Sequence, residues 1–356
     1  MSTNYKKLGD YITQRREKNT AINLPICGVC REGLIPPKQQ DADISLYNVF
    51  YKNDFIFNPA RMELNSITLN TEYDKAICSS LYEIFYINDT SKLLPEFLFV
   101  QLKTDNFVRF CEFQGQGSVR EYCRFANISE YPVIVPDLKE QEKIVNTYNA
   151  ITKRIQLKQK INENLEKTAQ TIYKKMFVED DDENWKSMKL GELAELSAGG
   201  DKPECFSITE TEKCNIPIFS NGIENYGLYG FTDKPKITKE SVTVSARGTI
   251  GFPCLRLKPY FPIIRLVSVT PNETYTDAIY LYYYLKNTNI VSSGTTQQQL
   301  TVPEFKETKI VVPNRNTVDE FSVKVRKLFY YQKENEKEIA KLQELKQVVI
   351  SRISGM

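Results

Sequence analysis

"GSVREYCRFANISEYPVIVP", Gly117 to Pro136, and "GTTQQQLTVPEFKETKIVVP", Gly294 to Pro313, write one frame twice. Each has a glycine, a hydroxyl residue, a polar middle that differs, and a closing I/V-V-P. Working outward, "YKKLGDYI" (Tyr5 to Ile12) answers "SMKLGELAEL" (Ser187 to Leu196), and "DFIFNPAR" (Asp54 to Arg61) answers "ESVTVSAR" (Glu240 to Arg247). "LKTDNF" (Leu102 to Phe107) answers "LKNTNI" (Leu285 to Ile290). The order is kept throughout, so the chain reads as two copies of about 180 residues, too long for a solenoid unit and therefore tandem domains.

Downstream of each frame, apolar residues fall in alternating steps of four and three, the heptad seam of a coiled coil. In the first copy the seam runs through Ile144, Ile151, Ile155, Asn162, Leu165 and Ile172. In the second it runs through Phe321, Val325, Leu328, Asn335, Ile339, Leu342, Val349 and Ile353. Two helices of about 35 residues are expected, roughly 50 to 60 Å at 1.5 Å per residue, with Asp137 and either Asn316 or Thr317 as caps. Neither helix can hide its stripe alone. The simplest closure is an antiparallel pair with a pseudo-twofold axis, which sets Ile144 beside Ile353 and Asn162 beside Asn335, a polar pair able to fix register.

The remaining sequence is rich in strand signals, as in "NVFYKNDFIFN", "AICSSLYEIFYI", "SVTVSARGTIGF" and "FPIIRLVSVT", with helical spacing in "LLPEFLFVQLKTDNFVRFC" and "DAIYLYYYLKNTNI". The expected fold class is α/β. Two similar mixed α/β bodies occupy 1–138 and 188–316, followed by long helices at 139–178 and 317–354, with an acidic linker at 179–187. The linker holds five consecutive acids, Glu179 to Glu183, and reads as solvated. Trp185, the single tryptophan, is expected to pack at the entrance to the second body.

The chain has 356 residues, enough for two cores. With 41% hydrophobic and 26% charged residues it reads as soluble and globular, and no run approaches the roughly 18 apolar residues of a membrane span. The opening "MSTNYKKLGDYI" has no apolar signal core, so a cytoplasmic location is expected. Lys and Arg total 47 against 45 Asp and Glu, a net charge of +2, so any polyanion surface must be local. Histidine is absent, which lowers the prospect of acid–base catalysis or a metal centre. Of eight cysteines only Cys27 and Cys30 have a suggestive spacing, but in an extended context that favours ordinary half-buried thiols. The tyrosines of Tyr280 to Tyr284 invite base stacking, though helical spacing favours a core role.

Two similar but unequal bodies on a rigid spacer suit a reader of two short patterns on a rod, because fixed spacing turns two weak recognitions into one strong one. Duplex DNA is such a rod, on which 50 Å spans roughly fifteen base pairs. The competing classes are a protein-binding coiled-coil scaffold and a metal-dependent nuclease, the latter needing convergent carboxylates.

"VTVSARGTIG" (Val242 to Gly251), "SNGIENYGLYGFT" (Ser220 to Thr232), "GTTQQQL" (Gly294 to Leu300), "CREGLIPP" (Cys30 to Pro37) and "DFIFNPARM" (Asp54 to Met62), with the paired helices, resemble the specificity subunit of type I restriction-modification systems. The resemblance covers nearly the whole chain. It implies a non-catalytic protein whose two target recognition domains read the halves of a bipartite sequence in double-stranded DNA. It also implies two methyltransferase subunits on the helices, with S-adenosylmethionine on those partners and no cofactor or metal in this chain, and a restriction subunit that joins them. "SAGGDKP" (Ser197 to Pro203) departs from the family by lacking the usual Thr-Pro after its glycines, which leaves Asp201 without an assigned role.

The variable letters of the doubled frame are then the candidate DNA contacts: Ser118, Arg120, Tyr122 and Arg124 against Thr295, Gln297, Gln298 and Gln299. Gln offers the donor and acceptor that adenine needs, and Arg the fork for guanine or phosphate. Arg61 and Arg247 close matched strands and join the candidates, with phosphate positioning as open to them as base reading.

Overall fold

The computed structural model describes residues 6–37, 43–115, 122–179, 185–288, 290 and 299–354. The chain divides into two compact units, residues 1–159 with 337–356, and residues 160–336. These units cut across the repeat. Each long helix contributes one part to either unit.

In the first unit, an antiparallel four-stranded sheet runs in the order Ile12–Arg15, Glu83–Ile87, Phe55–Phe57, Ile67–Leu69. A second sheet orders Gly33–Ile35, Ile26–Cys30, Lys75–Cys78 and Asn48–Tyr51, with the middle pair parallel. Phe55, Phe57 and Phe85 are fully buried, and the rings of Phe55 and Phe85 stack at 4.8 Å. Helices Pro95–Gln101 and Asp105–Gly115 follow. In the second unit, the four-stranded sheet orders Ala194–Ala198, Leu266–Pro271, Ser241–Ser245 and Pro253–Arg256, all antiparallel. A three-stranded sheet, Leu228–Thr232, Ile216–Phe219 and Phe261–Pro262, lies in the same unit with helix Ala278–Asn287.

The doubled motifs explain one another physically. Leu8 N donates to Tyr131 O at 2.8 Å, and Leu190 N donates to Thr308 O at the same distance. Strands Lys6–Lys7 and Lys186–Lys189 pair with Pro132–Val133 and Lys309–Val312. The "KLG" glycines sit where a side chain would crowd its neighbours. A Cβ on Gly9 would lie 3.1 Å from Ser129 Cβ and O, and one on Gly191 would lie 3.0 Å from Lys306 Cβ. In both units, therefore, the frame before the long helix is stitched to the start of its own repeat.

The long helices are Leu138–Lys174, extended by a π-turn at Lys175–Glu179, and Arg315–Ser354. Asp137 caps the first by accepting from Glu140 N at 2.9 Å. The second begins earlier than expected, because Asn314 rather than Asn316 or Thr317 is the cap, accepting from Thr317 N at 3.0 Å and Thr317 Oγ1 at 2.9 Å. Every seam position named from the sequence is buried or half-buried. The helices run antiparallel within each unit. In the first, Ile144, Val145 and Tyr148 share a core with Val349, Ile350 and Ile353, and Glu338 bridges Arg154 and Lys158. In the second, Phe321 meets Tyr173 and Phe177 edge-on at 5.9 and 5.1 Å.

The expected polar pair is present. Asn335 Nδ2 donates to Asn162 Oδ1 at 2.8 Å, and Gln332 Nε2 donates to Asn162 O at 3.1 Å. The helices do more than pair. Tyr173, Phe177 and Val318, outside the named seam positions, and the seam residues Phe321 and Val325 join Leu190, Ile279, Tyr280 and Tyr283 of the second body in one core. Burial of one such aromatic is worth about 2–3 kcal/mol, so the helix ends are integral to each unit.

Trp185 packs against that core, with its ring 5.8 Å from Phe177. Tyr280 and Tyr283 are 1% exposed and serve the core. Cys27 is buried and pairs in register with Cys78, and burial raises its thiol pKa, while Cys30 Sγ reaches Gly33 O at 3.5 Å.

Candidate nucleic-acid interface

In the second unit three separate stretches converge on Arg247. Strand Ser241–Ser245 is buried along its whole length and delivers Ala246 and Arg247 to its end. Leu300 N donates to Ala246 O at 2.9 Å, which seats the end of the variable stretch beside the strand. Arg247 then donates through Nε and Nη2 to Gln299 Oε1 at 2.8 and 2.5 Å. From the third stretch, Asn221 Nδ2 donates to Arg247 O at 3.1 Å, and Ser245 Oγ donates to Asn221 O at 3.3 Å. Gly248 and Gly251, with φ of +73° and +80°, turn the chain tightly after the arginine.

The first unit uses the same plan with other chemistry. Cys123 N donates to Pro59 O at 3.0 Å, so the variable stretch is again tied just before the arginine. Arg61 follows in a short 3-10 segment opened by Asn58, whose side chain accepts from Ala60 N at 3.1 Å. It is exposed and lines a groove of about 700 Å³ with Arg31, Tyr47, Asn58 and Tyr82. Arg124 stacks on the Tyr122 ring at 5.1 Å and reaches Glu83 at 3.4 Å. Glu83 is mostly spent elsewhere, accepting from Phe125 N at 2.7 Å and Gln14 Nε2 at 3.3 Å.

Among the described residues, neither Arg61 nor Arg247 forms an ion pair. Among the described residues, Arg247 shares its fork with a neutral amide, Gln299. A phosphate or the O6/N7 edge of guanine satisfies such a fork bidentately. Of the remaining candidates, Ser118, Arg120, Thr295, Gln297 and Gln298 lie outside the described residues. Asn221 was not singled out from the sequence. Its signal was available in "SNG", a short amide before a glycine turn, but its contact with Arg247 joins residues far apart in the chain.

Gly199, first of the paired glycines, has its own steric reason: a Cβ there would lie 2.0 Å from Ile263 O. Among the described residues no three His, Cys, Asp or Glu side chains gather as a metal site, and no described helix is long and apolar enough to cross a membrane.

The family profile described as "Type I restriction modification DNA specificity domain" matches residues 35–167 and again 182–347. A Mycoplasma pneumoniae protein named as a type I specificity subunit is 36% identical over 136 residues, covering 37% of this chain and 40% of its own length. The chain thus matches about two fifths of that relative. The HindI type I restriction enzyme specificity subunit of Haemophilus influenzae is 21% identical over 377 residues, covering 80% of this chain and 82% of that one. In fold, the chain is similar to the crystal structure of a type-I restriction-modification system S subunit from M. genitalium. That match has a TM-score of 0.68 at 16% identity, over 99% of this chain and 96% of the other. With both copies of the repeat matched, the chain belongs to the family of type I restriction-modification DNA specificity domains.

Proposed function

We propose that this chain is the non-catalytic specificity subunit of a type I restriction-modification complex and reads a bipartite target in double-stranded DNA, one half-site per body. The observation that carries the reading is the matched pair of loop bases. Among the described residues, Arg61 and Arg247 are each without a carboxylate partner, beside the closing end of a variable polar stretch. Two such heads built on one frame but lined with different side chains suit two different half-sites. The long helices set the gap between those half-sites and dock two methyltransferase subunits. These partners carry the S-adenosylmethionine whose methyl group goes to adenine, and a restriction subunit completes the complex.

The test is a map of methylated adenines in a genome expressing this chain with its methyltransferase, followed by binding to duplexes with each half-site scrambled in turn. The reading expects a two-part motif with a fixed gap, and Arg247→Ala weakening only one half-site's contribution. A single uninterrupted motif, or binding indifferent to sequence, would remove it. Tight methyltransferase binding with indifferent DNA binding would leave a scaffold.

A further inference from the structure

Resting on that reading, we propose that Glu240 and Arg326 are positioning residues that lock the second reading body to the spacer helix and so narrow the range of half-site gaps the protein accepts. Arg326, on helix Arg315–Ser354, donates through Nη1 to Glu240 Oε1 at 2.5 Å and through Nη2 to Glu240 Oε2 at 2.7 Å. This is a two-bond fork, which fixes direction as well as distance. Both side chains are only about a third exposed, at 32% and 37%.

Glu240 immediately precedes the buried strand Ser241–Ser245, whose other end delivers Arg247 to Gln299. A stiff strand therefore connects the clamp directly to the candidate base reader. A second attachment lies further along the same helix. Lys333 Nζ sits 4.6 Å from the Tyr226 ring centroid, and the Tyr226 hydroxyl lies 3.5 Å from Glu336 Oε1. Tyr226 and its neighbour Asn225 hold left-handed backbones, φ +53° and +47°, which a bulky residue adopts only under constraint. Arg256, 7% exposed, supplies part of that constraint by donating from Nη2 to Tyr226 O at 2.7 Å. Ten residues of helix between Arg326 and Glu336 span about 15 Å. The core shared by helix and body near Phe321 and Val325 joins the two at one end, and these polar attachments, spaced along the helix beyond it, fix the angle between them.

The first unit carries the matching acid but spends it differently. Asp54 precedes the matching strand and takes a comparable fork from Arg15 at 2.6 and 3.1 Å, yet Arg15 belongs to strand Ile12–Arg15 of the same body. The Arg15 guanidinium lies 4.8 Å from the Tyr51 ring and 4.7 Å from Tyr86. That pair stiffens its body internally, whereas the Glu240 pair joins body to helix.

Adding one base pair moves a half-site by about 3.4 Å and turns it by about a tenth of a turn, which a locked body cannot follow and a hinged one can. The experiment uses the full chain assembled with its methyltransferase subunits, on duplexes whose half-sites carry the native gap or one base pair more or less. The unaltered protein is expected to favour the native gap about a hundredfold, in line with the loss of bivalent binding when geometry forbids it. Glu240→Gln and Arg326→Gln are each expected to cut that preference to about tenfold or less while changing affinity at the native gap by about threefold at most. The double exchange of Glu240→Arg with Arg326→Glu should recover part of the preference, and Arg15→Gln should leave it intact. An unaltered gap profile in both single variants would overturn the proposal. So would an equal loss at all gaps that the exchange does not recover, since that marks a purely structural pair. If the unaltered protein itself shows no gap preference, the bipartite reading fails first.

Discussion

At the matching point of the two long helices, the first unit buries Gln141 and the second buries Val318, both at 0% exposure. Gln141 ties two segments together: Leu94 N donates to its Oε1, and its Nε2 donates to Lys92 O and Pro136 O, each at 2.8 Å. Val318 has carbon neighbours in a core with Phe321 and Val325. The paired lysines diverge as well. Lys103, 8% exposed, donates to Arg31 O at 2.8 Å, Ile67 O at 2.7 Å and Asn65 Oδ1 at 3.1 Å. Lys286 instead reaches Glu166 of the first long helix at 2.5 Å. The duplicated frame thus specifies backbone path and glycine placement, while each copy satisfies its interior with its own chemistry.

The comparison breaks most visibly at Gln141. Gln141→Ala leaves two carbonyls and one N–H in a part-buried site without the amide that joins them and is expected to cost about 3 kcal/mol, against about 2 kcal/mol for the cavity left by Val318→Ala. Denaturant unfolding with probes in each unit checks both, and a loss below about 1 kcal/mol for Gln141→Ala would mean that water replaces the amide.

The two lysines sharpen the comparison because they titrate with opposite sign. Burial holds Lys103 down to about 7 from its ordinary 10.5. Between those values the unfolded chain binds a proton that the folded chain has lost, so this group makes the fold more stable as pH rises from 7 towards 10, by about 1.4 kcal/mol per unit at most. Lys286 is opposed by burial too, but Tyr282 and Glu166 outweigh it and raise its pKa. Its contribution is complete below 10.5 and disappears only as pH climbs through the raised value. Stability measured from pH 7 to 10 should lose its upward component in Lys103→Met and keep it in Lys286→Met.

Smaller effects are expected at the glycines and the central amides. Gly9→Ala presses on Ser129 backbone and should cost about 1–2 kcal/mol, while Gly191→Ala meets mainly Lys306 side-chain carbons and should cost less. Thermal unfolding of both variants decides. Asn335→Ala removes the bond to Asn162 and should cost about 1 kcal/mol. Replacing both asparagines by leucine should raise the unfolding midpoint while admitting a second helix register, visible as paired cross-linking products where the native protein gives one.

Much of this was legible because it is periodic. The seam from Ile144 to Ile172 and from Phe321 to Ile353 needs only the helical repeat, and the pseudo-twofold antiparallel pairing read from it places Asn162 opposite Asn335, where their side chains bond. The cap of the second helix was misplaced by two or three residues, because Asn314, Asn316 and Thr317 are chemically similar and only backbone geometry chooses among them. The dual role of the helix ends was not legible either. Tyr173, Phe177 and Val318 lie beside the seam, and a heptad pattern does not say whether a flanking apolar residue meets water or a second body.

By itself the sequence determined the duplication, the two long helices and their pairing, and the matched places of Arg61 and Arg247 in the two copies, although Arg61 lies in the 3-10 segment Pro59–Leu64 rather than closing strand Phe55–Phe57. These follow from local rules of periodicity and propensity, which act on neighbours in the chain. Only the tertiary structure decided that Asn221 and Gln299 gather at Arg247, that Asp54 turns inward to Arg15 while Glu240 reaches out to Arg326, and that Lys103 sits in a cage of oxygens. Each of these is a hydrogen-bond choice among several partners of equal chemistry. Which partner wins is set by distance and direction between segments remote in sequence, quantities that exist only once the chain has folded.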